Sequence, residues 1–468
     1  MKADRREFLR GTAWMGATAA LAGCAQFMSG GRAAFCAPAL PKVRVGHVGL
    51  GMRGPGAVHR LAAIPGVEVA ALCDLYPERV ERQQAWLKET GRPSAASYSG
   101  EEGYKALCES DVDLVYVTTP WALHAPVALY AMEHGKHVAV EVPAAMDLDQ
   151  CWALVETAER TGRHCMQLEN CCYGEIEMLT LNLVRQGLLG ELVHGEGAYI
   201  HDLRELNYLD PSKGGYQGYW RLKWNTAHAG NPYPTHGLVP LMQAMGINRG
   251  DRFDYLTCVS SAARGFDAYA AAKFGAGSWQ AKLHPRCGDM STAVIRTVRG
   301  RTIMVQHDVA NARPYSRINL LSGTRGVLND YPFRIALAAD DASPAHEWLD
   351  DAKTAELRER YRHPLWKAAG ELARKMGGHG GMDFLMDLRL AYCLQNGLPL
   401  DMDVYDLAAS CSLCELCERS ADGRGASQDV PDFTRGGWET AQPLGIETVD
   451  LSRLGRIDDR ADSAALDV

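Results

Sequence analysis

The fold is decided by the stretch Val43-Arg-Val-Gly-His-Val-Gly-Leu-Gly-Met-Arg-Gly54. Its valine-rich first half predicts a buried β-strand. The strand leads into Gly49-x-Gly51-x-x-Gly54, and helical apolar spacing follows. Glycines at this spacing between a strand and a helix are typical of a dinucleotide-binding unit. They permit a tight turn, close approach of a pyrophosphate and close helix packing. An ordinary glycine turn is the alternative, since the motif alone is weak.

A second predicted strand favours the dinucleotide interpretation. It covers Val67 to Asp74 and ends on an acid about 20 residues beyond Gly54, where a ribose-binding carboxylate is expected. A carboxylate at that point also repels the 2′-phosphate of NADP. We therefore predict an NAD site that includes Gly49, Gly51 and Asp74.

Strands and helices alternate through the rest of the N-terminal part. Helices are predicted at 76–90, 125–134 and 149–161, and strands at 113–120, 137–143 and 164–170. This alternation predicts an α/β fold with a Rossmann, doubly wound parallel sheet, in which ligands bind beyond the carboxyl ends of the strands. The polar or aromatic residues that fall at those ends are Asp74, Trp121, His124, Glu141 and Asn170.

The pattern changes from about residue 189. Strands follow one another with tight turns, which predicts a C-terminal α+β domain with a largely antiparallel open sheet. Helical spacing returns later in the chain. The predicted strands are 191–201, 253–263, 290–298, 302–309, 317–322 and 326–328, and the helices 349–375, 382–395 and 403–420. We predict an export segment at 1–40, an NAD-binding domain at 41–168, a substrate-binding domain at 169–440 and a tail at 441–468.

The composition limits the classes of protein that fit. The chain has 468 residues, 47% of them hydrophobic, as is ordinary for a globular enzyme. Its 57 acidic and 49 basic residues give a net charge of −8 with no basic stripe, so we predict no nucleic-acid partner. The spacing Cys411-x-x-Cys414-x-x-Cys417 opens a ferredoxin motif, but no fourth cysteine followed by proline comes after it. Helical spacing around these cysteines favours core packing, and we predict no metal site.

The first forty residues resemble a targeting segment. Asp4-Arg5-Arg6-Glu7-Phe8-Leu9 is similar to a twin-arginine export signal, and a short apolar region follows. Leu21-Ala22-Gly23-Cys24 resembles a bacterial lipobox, which predicts a lipidated Cys24 and membrane attachment. The alternative is a signal peptide cut later, near Ala37 or Ala39. We expect an exported protein, either periplasmic or anchored as a lipoprotein.

Several motifs carry a resemblance that covers about residues 42–440. The glycine stretch, Thr119-Pro-Trp-x-x-His124 and Glu141-Val-Pro143 are similar to the Gfo/Idh/MocA oxidoreductase superfamily. The more specific resemblance is to glycoside hydrolase family 109, the NAD-dependent α-N-acetylgalactosaminidases. It rests on Glu169-Asn-Cys-Cys-Tyr173, Gly195-Glu-Gly-Ala-Tyr-Ile-His-Asp202, Asn231-Pro-Tyr-Pro-Thr-His236, Gln306-His-Asp308, Arg313-Pro-Tyr-Ser-Arg317 and His379-Gly-Gly-Met-Asp383.

The resemblance implies a role for individual residues. His236 and Tyr173 are the candidate acid/base groups, and His379 is a further candidate for the pocket lining. The implied NAD contacts are Met52, Arg53, Asp74, Trp121, Ala122, Leu123, His124, Glu141, Val142 and Asn170. The implied substrate contacts are Tyr199, Arg221, Tyr233, Pro234, Thr235, His236 and Tyr315. The implied partner is a carbohydrate with terminal α-linked N-acetylgalactosamine, and we also expect a homo-oligomer.

One position departs from the broad superfamily. Its dehydrogenases usually carry Glu-Lys-Pro, and that lysine serves hydride-transfer chemistry, whereas this chain has Val142 there. The hydrolase interpretation needs no such lysine. Oxidation at sugar C3 makes the C2 hydrogen acidic, a base removes it, the C1 substituent leaves, water adds, and reduction restores the sugar and the NAD. The alternatives are an exported NAD(P)-dependent sugar oxidoreductase of the superfamily and a non-catalytic binding protein.

Overall fold

The computed structural model describes residues 37–338, 343–344, 346–446 and 448–454. Cys24 and nearly all of the predicted export segment lie outside the described residues. Among the described residues, no helix combines the length and apolar character needed to cross a membrane.

The N-terminal domain contains a six-stranded sheet in the order β3-β2-β1-β4-β5-β6, and every neighbouring pair is parallel. The doubly wound parallel sheet predicted from the alternating pattern is confirmed. Its central strands are buried on both faces, as expected for a parallel sheet covered by helices. The strands are β1 Val43–Val48, β2 Val67–Asp74, β3 Ala96–Ser99, β4 Leu114–Val117, β5 His137–Val140 and β6 Cys165–Gln167.

The C-terminal domain contains an eight-stranded sheet in the order β13-β12-β11-β7-β10-β9-β8-β14. All pairs are antiparallel except β7 with β10. The predicted, largely antiparallel open sheet is therefore confirmed. Its strands are β7 Leu192–Ile200, β8 Phe253–Ser260, β9 Ser291–Thr297, β10 Thr302–Asp308, β11 Leu320–Gly323, β12 Gly326–Asn329, β13 Arg334–Leu337 and β14 Gln428–Asp429.

Helices pack against both sheets. They are α1 Gly54–Ala62, α2 Pro77–Glu89, α3 Gly103–Glu109, α4 His124–Glu133, α5 Leu148–Thr161, α6 Glu175–Arg185, α7 Arg204–Tyr208, α8 Trp220–Ala227, α9 Thr235–Met245, α10 Gly265–Phe274, α11 Asp351–Tyr361, α12 Pro364–Met376, α13 Met382–Asn396, α14 Val404–Asp422 and α15 Leu451–Leu454. The helix predicted at 349–375 is divided into α11 and α12, because Pro364 cannot continue the preceding helix.

The sequence did not predict several elements. Strand β3 is a short, mostly exposed edge strand without an apolar pattern. Helix α9 is buried on nearly all sides, including Leu238, Val239, Leu241 and Met242, so it shows no amphipathic period. The segment predicted as a tail from 441 packs partly onto the domain, since Ile446 and Val449 are buried. Cys411, Cys414 and Cys417 are free and buried in α14, as the helical spacing predicts.

Candidate active site

The glycine turn after β1 has the close packing that a dinucleotide cradle requires. Gly49 has φ +96°, and a Cβ on Gly54 would lie 2.1 Å from the Gly49 carbonyl oxygen. Neither position admits a side chain. A Cβ on Gly51 would meet only the Arg79 guanidinium, at 3.6 Å, so its backbone is open to a ligand. Helix α1 begins at Gly54 and directs its first N–H groups toward this turn. The turn therefore fits the pyrophosphate of a dinucleotide.

The acid at the end of β2 is tied to this turn. The Leu50 N–H donates to Asp74 Oδ2 at 2.6 Å, and the Tyr76 N–H donates to Asp74 Oδ1 at 3.0 Å. Arg79 lies 3.4 Å from Oδ1. Asp74 thus stands beside the glycines, at the place predicted for the ribose contact.

A buried carboxylate, that of Asp383, connects several of the predicted cofactor residues. Asp383 Oδ2 lies 3.0 Å from Arg53 Nη2 and 3.6 Å from Arg60 Nη1, and its Oδ1 accepts from Asn170 Nδ2 at 2.6 Å. Arg53 Nε also donates to Glu141 Oε1 at 3.2 Å. Burial alone would raise the pKa of Asp383, but the two arginines hold it well below its usual range. The predicted cofactor residues Arg53, Glu141 and Asn170 therefore meet through Asp383, to which sequence reasoning gave no role.

The loop beyond β4 forms a turn at Trp121–Leu123. Trp121 is buried, and Leu123 is 46% exposed. His124 is also buried, with ring nitrogens 2.7 Å from the Pro143 carbonyl oxygen and 2.6 Å from that of Thr119. Both nitrogens face the protein backbone. The imidazole therefore joins two loops, and the backbone of His124 is the part left for the predicted NAD contact.

Aromatic side chains from three loops or strands meet across the domain boundary. The Tyr233 ring lies 5.7 Å from Trp121, 4.7 Å from Tyr199 and 4.9 Å from His236, centroid to centroid. Val142 is buried in the same cluster. The structure thus brings the predicted substrate residues against predicted cofactor residues. Two further groups of predicted contacts lie nearby. Met52 lies on the glycine turn and is 40% exposed, and Pro234 and Thr235 are buried at the start of α9.

Arg221 of α8 is a buried cation enclosed by aromatic rings. Its guanidinium carbon lies 4.9 Å from the ring centroids of both Trp121 and Tyr233 and 5.8 Å from that of Tyr199. Nη1 donates to the Tyr216 hydroxyl at 3.1 Å. Nε and Nη2 are buried and have no hydrogen-bond partner among the described residues. A buried cation with unused donors fits a ligand that brings acceptor oxygens.

His236 is the second residue of α9 and faces a buried acid. Its Nδ1 lies 2.7 Å from Glu169 Oε1, and its Nε2 lies 3.4 Å from the Tyr233 hydroxyl oxygen. The Glu169 side chain is 0% exposed, and that of His236 is 14% exposed. Burial alone would raise the pKa of Glu169, but His236 holds it below its ordinary value. This arrangement presents Nε2 to the aromatic pocket.

Cys171 stands close to the same pair. The ligating atoms of Glu169, Cys171 and His236 lie within 4.8 Å of one another, a donor set that metals use. Without an ion, burial raises the pKa of the Cys171 thiol well above its usual range. The thiol is then neutral beside the Glu169–His236 pair.

Tyr315 and His379 each contact an arginine. The Tyr315 ring is 6.4 Å from Tyr199, and its hydroxyl accepts from Arg317 at 2.8 Å. His379 Nδ1 lies 3.1 Å from Arg53 Nη1. A cavity of about 260 Å³ opens next to them, lined by Gly174, Glu175, Ile176, Glu177, Arg317, Asp330, Trp366, Arg374, His379, Gly380 and Met382.

Tyr173 is not part of this site. Its side chain is fully buried, and its hydroxyl donates to Asp401 Oδ2 at 2.9 Å. Burial and the Asp401 charge raise the pKa of Tyr173 well above its usual range. The predicted catalytic role is therefore wrong for Tyr173, because its hydroxyl is committed to a structural contact.

His307 is a site neighbour that sequence reasoning did not assign. It pairs with Tyr199 across β10 and β7, and their rings lie 6.2 Å apart. Burial and the neighbouring Arg221 lower the pKa of His307 to about 3, so it is neutral. The motif Gln306-His-Asp308 was the only signal of its position.

A glycine turn that fits NAD and an aromatic pocket over an open sheet define a two-domain enzyme of the Rossmann oxidoreductase architecture. Residues 43–168 match the family model described as oxidoreductase family, NAD-binding Rossmann fold. Residues 173–440 match the model for the glycosyl hydrolase 109 C-terminal domain. The chain belongs to glycoside hydrolase family 109.

Relatives with high identity agree with this assignment. A glycosyl hydrolase family 109 protein of Shewanella amazonensis is 48% identical over 455 residues, covering 95% of this chain and 99% of the relative. An alpha-N-acetylgalactosaminidase of Bacteroides fragilis is 47% identical over 404 residues, covering 86% and 94%. Among solved structures, levoglucosan dehydrogenase in complex with NADH and levoglucosan has a TM-score of 0.61 at 18% identity, covering 83% of this chain and 100% of that one. This likeness concerns the fold.

Proposed function

We propose that this glycoside hydrolase removes terminal α-linked N-acetylgalactosamine from glycoconjugates by an oxidation, elimination, water addition and reduction cycle. The name of the Bacteroides fragilis relative supports the sugar. The observation that carries the reaction type is the His236 imidazole, backed by Glu169 at 2.7 Å and open to the aromatic pocket through Nε2.

The proposed NAD site consists of the glycine turn and the loops that follow the strands of the N-terminal sheet. Bound NAD would supply a hydride acceptor and donor for sugar C3. Asp74 would accept from ribose hydroxyls, and the turn N–H groups would face the pyrophosphate. The residues that would hold NAD are Gly49, Gly51, Met52, Arg53, Asp74, Trp121, Ala122, Leu123, Glu141, Val142 and Asn170.

The proton transfers fall to this chain's own residues. Once C3 of the sugar is a ketone, the C2 hydrogen is acidic, and His236 Nε2 takes that proton. The C2 electron pair forms a double bond to C1 as the C1–oxygen bond breaks, and the leaving oxygen takes a proton from solvent. Water then adds at C1 and releases one proton to solvent, and His236 returns a proton to C2. The Arg221 donors Nε and Nη2 are suited to sugar acceptor oxygens.

The carboxylates near the pocket do not favour direct hydrolysis. That reaction uses two carboxyl groups that flank the glycosidic bond. Here Glu141 pairs with Arg53, Glu169 with His236 and Asp383 with both Arg53 and Arg60. Each acid is already engaged with a neighbouring side chain.

Isotope exchange at C2 tests the reaction type. A nitrophenyl α-N-acetylgalactosaminide deuterated at C2 should be cleaved with loss of deuterium to solvent. His236→Gln should lower cleavage by roughly 10²–10⁴-fold, even with this good leaving group, while NAD stays bound. Cleavage that retains the C2 deuterium would contradict the elimination cycle. Accumulation of a keto-sugar without cleavage would instead indicate the sugar oxidoreductase alternative.

We further propose twin-arginine export, lipidation at Cys24 and a homo-oligomer. A recycled cofactor supports export, because turnover then needs no external NAD supply. Replacing Arg5 and Arg6 with lysine should leave the protein in the cytoplasm, and Cys24→Ala should remove a lipid label. Normal export of the double-lysine variant, or an unlabelled wild type, would contradict the first two points. Light scattering of the purified protein tests the third, which a monomer would contradict.

A further inference from the structure

Glu169 was not among the predicted site residues, but it lies at the centre of the candidate site. It lies two residues after β6, the last strand of the N-terminal sheet, while His236 is the second residue of α9. The pair therefore brings the end of that sheet to within 2.7 Å of α9.

The backbone holds the Glu169 carboxylate in place. The Cys171 N–H donates to Oε1 at 3.1 Å, the same oxygen that meets His236 Nδ1. The Thr235 hydroxyl also stabilises this carboxylate. The carboxylate is therefore held in one place behind the His236 ring.

Apart from Glu169, the titratable groups that face His236 carry no negative charge at neutral pH. Burial raises the pKa of Tyr199 to about 12 and those of Tyr233 and Cys171 well above their usual ranges, so all three are neutral at pH 7. Burial lowers the pKa of His201. Glu169 is the anion closest to the imidazole among these groups. The groups that face His236 are Glu169, Cys171, Tyr199, His201 and Tyr233.

We propose that Glu169 is a positioning residue that accepts the Nδ1 proton of His236 and so keeps Nε2 unprotonated toward the pocket. A carboxylate behind an imidazole fixes its tautomer and stabilises the imidazolium that forms when Nε2 takes a proton. The tautomer assignment rests on the 2.7 Å separation of His236 Nδ1 from Glu169 Oε1, a close contact that is not aligned as a hydrogen bond in this structure. Its catalytic consequence rests on the proposed function.

Nitrogen-15 NMR of histidine-labelled protein tests the tautomer without substrate. The His236 signals are identified by their loss in His236→Gln. Wild type should show a protonated Nδ1 and a free Nε2 at pH 8. Glu169→Gln should shift the ring toward protonated Nε2, because the amide can donate to Nδ1. An Nε2-protonated ring in wild type, or no change in Glu169→Gln, would overturn the proposal.

Kinetics test the consequence. Glu169→Gln should lower kcat by roughly 10²–10⁴-fold with a much smaller change in KM. The acidic limb of its pH–rate profile should move to lower pH, because the neighbouring anion is lost. Glu169→Asp, which keeps the charge, should recover part of the loss. An unmoved acidic limb, or no recovery with aspartate, would contradict the role of the charge.

Cys171→Ala is the matched control. It keeps the N–H that bonds Glu169 but removes the adjacent thiol, so kcat and the His236 signals should stay close to wild type. An equal loss of kcat and an equal NMR change in Cys171→Ala would show that local packing, rather than the carboxylate, sets the tautomer. If the NMR results hold but no variant cleaves glycosides, the positioning role stands and the proposed function fails.

Discussion

Replacing Arg221 with methionine should separate ligand binding from stability. Arg221 is 7% exposed, and its guanidinium leaves Nε and Nη2 without partners among the described residues. Methionine keeps the apolar stem and roughly fills the aromatic enclosure. We expect substrate turnover to fall while the protein without substrate remains about as stable as wild type.

The magnitudes follow from the contacts. Losing cation–π contacts of about 0.5–2 kcal/mol each destabilises the variant. Removing a buried charge recovers a desolvation cost of several kcal/mol. These changes oppose each other, so we expect a net change in unfolding free energy of about 1 kcal/mol or less. Each substrate hydrogen bond to the cation contributes about 1.5–3 kcal/mol, so kcat/KM should fall about 10- to 100-fold for every bond lost.

Arg389→Met is the matched control for a buried arginine. Arg389 donates to both oxygens of Asp401, at 2.9 and 2.6 Å, and both side chains are 4% exposed. Breaking such a pair leaves a buried charge and costs about 3–5 kcal/mol. Thermal unfolding and hydrolysis of a nitrophenyl glycoside measure both variants. If Arg221→Met unfolds as easily as Arg389→Met, Arg221 is structural and the ligand-binding argument is refuted.

Three other changes test the site. NAD should be released when the purified protein is denatured, and Asp74→Ala should weaken the preference for NAD over NADP, because the repelling carboxylate is gone; extraction of mainly NADP from wild type would contradict this. Tyr173→Phe should lower the unfolding free energy by about 1.5–3 kcal/mol through loss of its hydrogen bond to Asp401, while kcat changes little; a 100-fold loss of kcat with NAD retained would restore its catalytic role. The depressed pKa of Asp383 contributes stability that is present above the unfolded pKa of about 3.9 and is lost as pH falls through the folded pKa. Asp383→Asn should therefore destabilise the protein at pH 7, and urea unfolding should show this difference shrinking below about pH 4; a pH-independent difference would exclude the charge.

The local pattern of the sequence was sufficient for the fold class. Valine-rich runs predicted β1 and β2 because strands buried on both faces read as continuous apolar segments. The glycines and Asp74 were predicted because each has a steric or charge requirement that depends on near neighbours. Edge strand β3 and the fully buried helix α9 were not predicted, because neither carries a clear apolar period.

The candidate site was predicted only in part. His236, Arg221, Tyr199 and Tyr233 were found through family motifs, and the structure brings them together. The pairing of β7 with β10 within the C-terminal sheet and the contact between Glu169 and His236, 67 residues apart in sequence, depend on contacts that no local pattern reveals. Tyr173 had the same motif support as His236, yet packing turned its hydroxyl toward Asp401. Residue type and local spacing determined which side chains were available for chemistry. Only tertiary packing decided which of them share a pocket, because a side chain's partners are set by contacts distant in sequence.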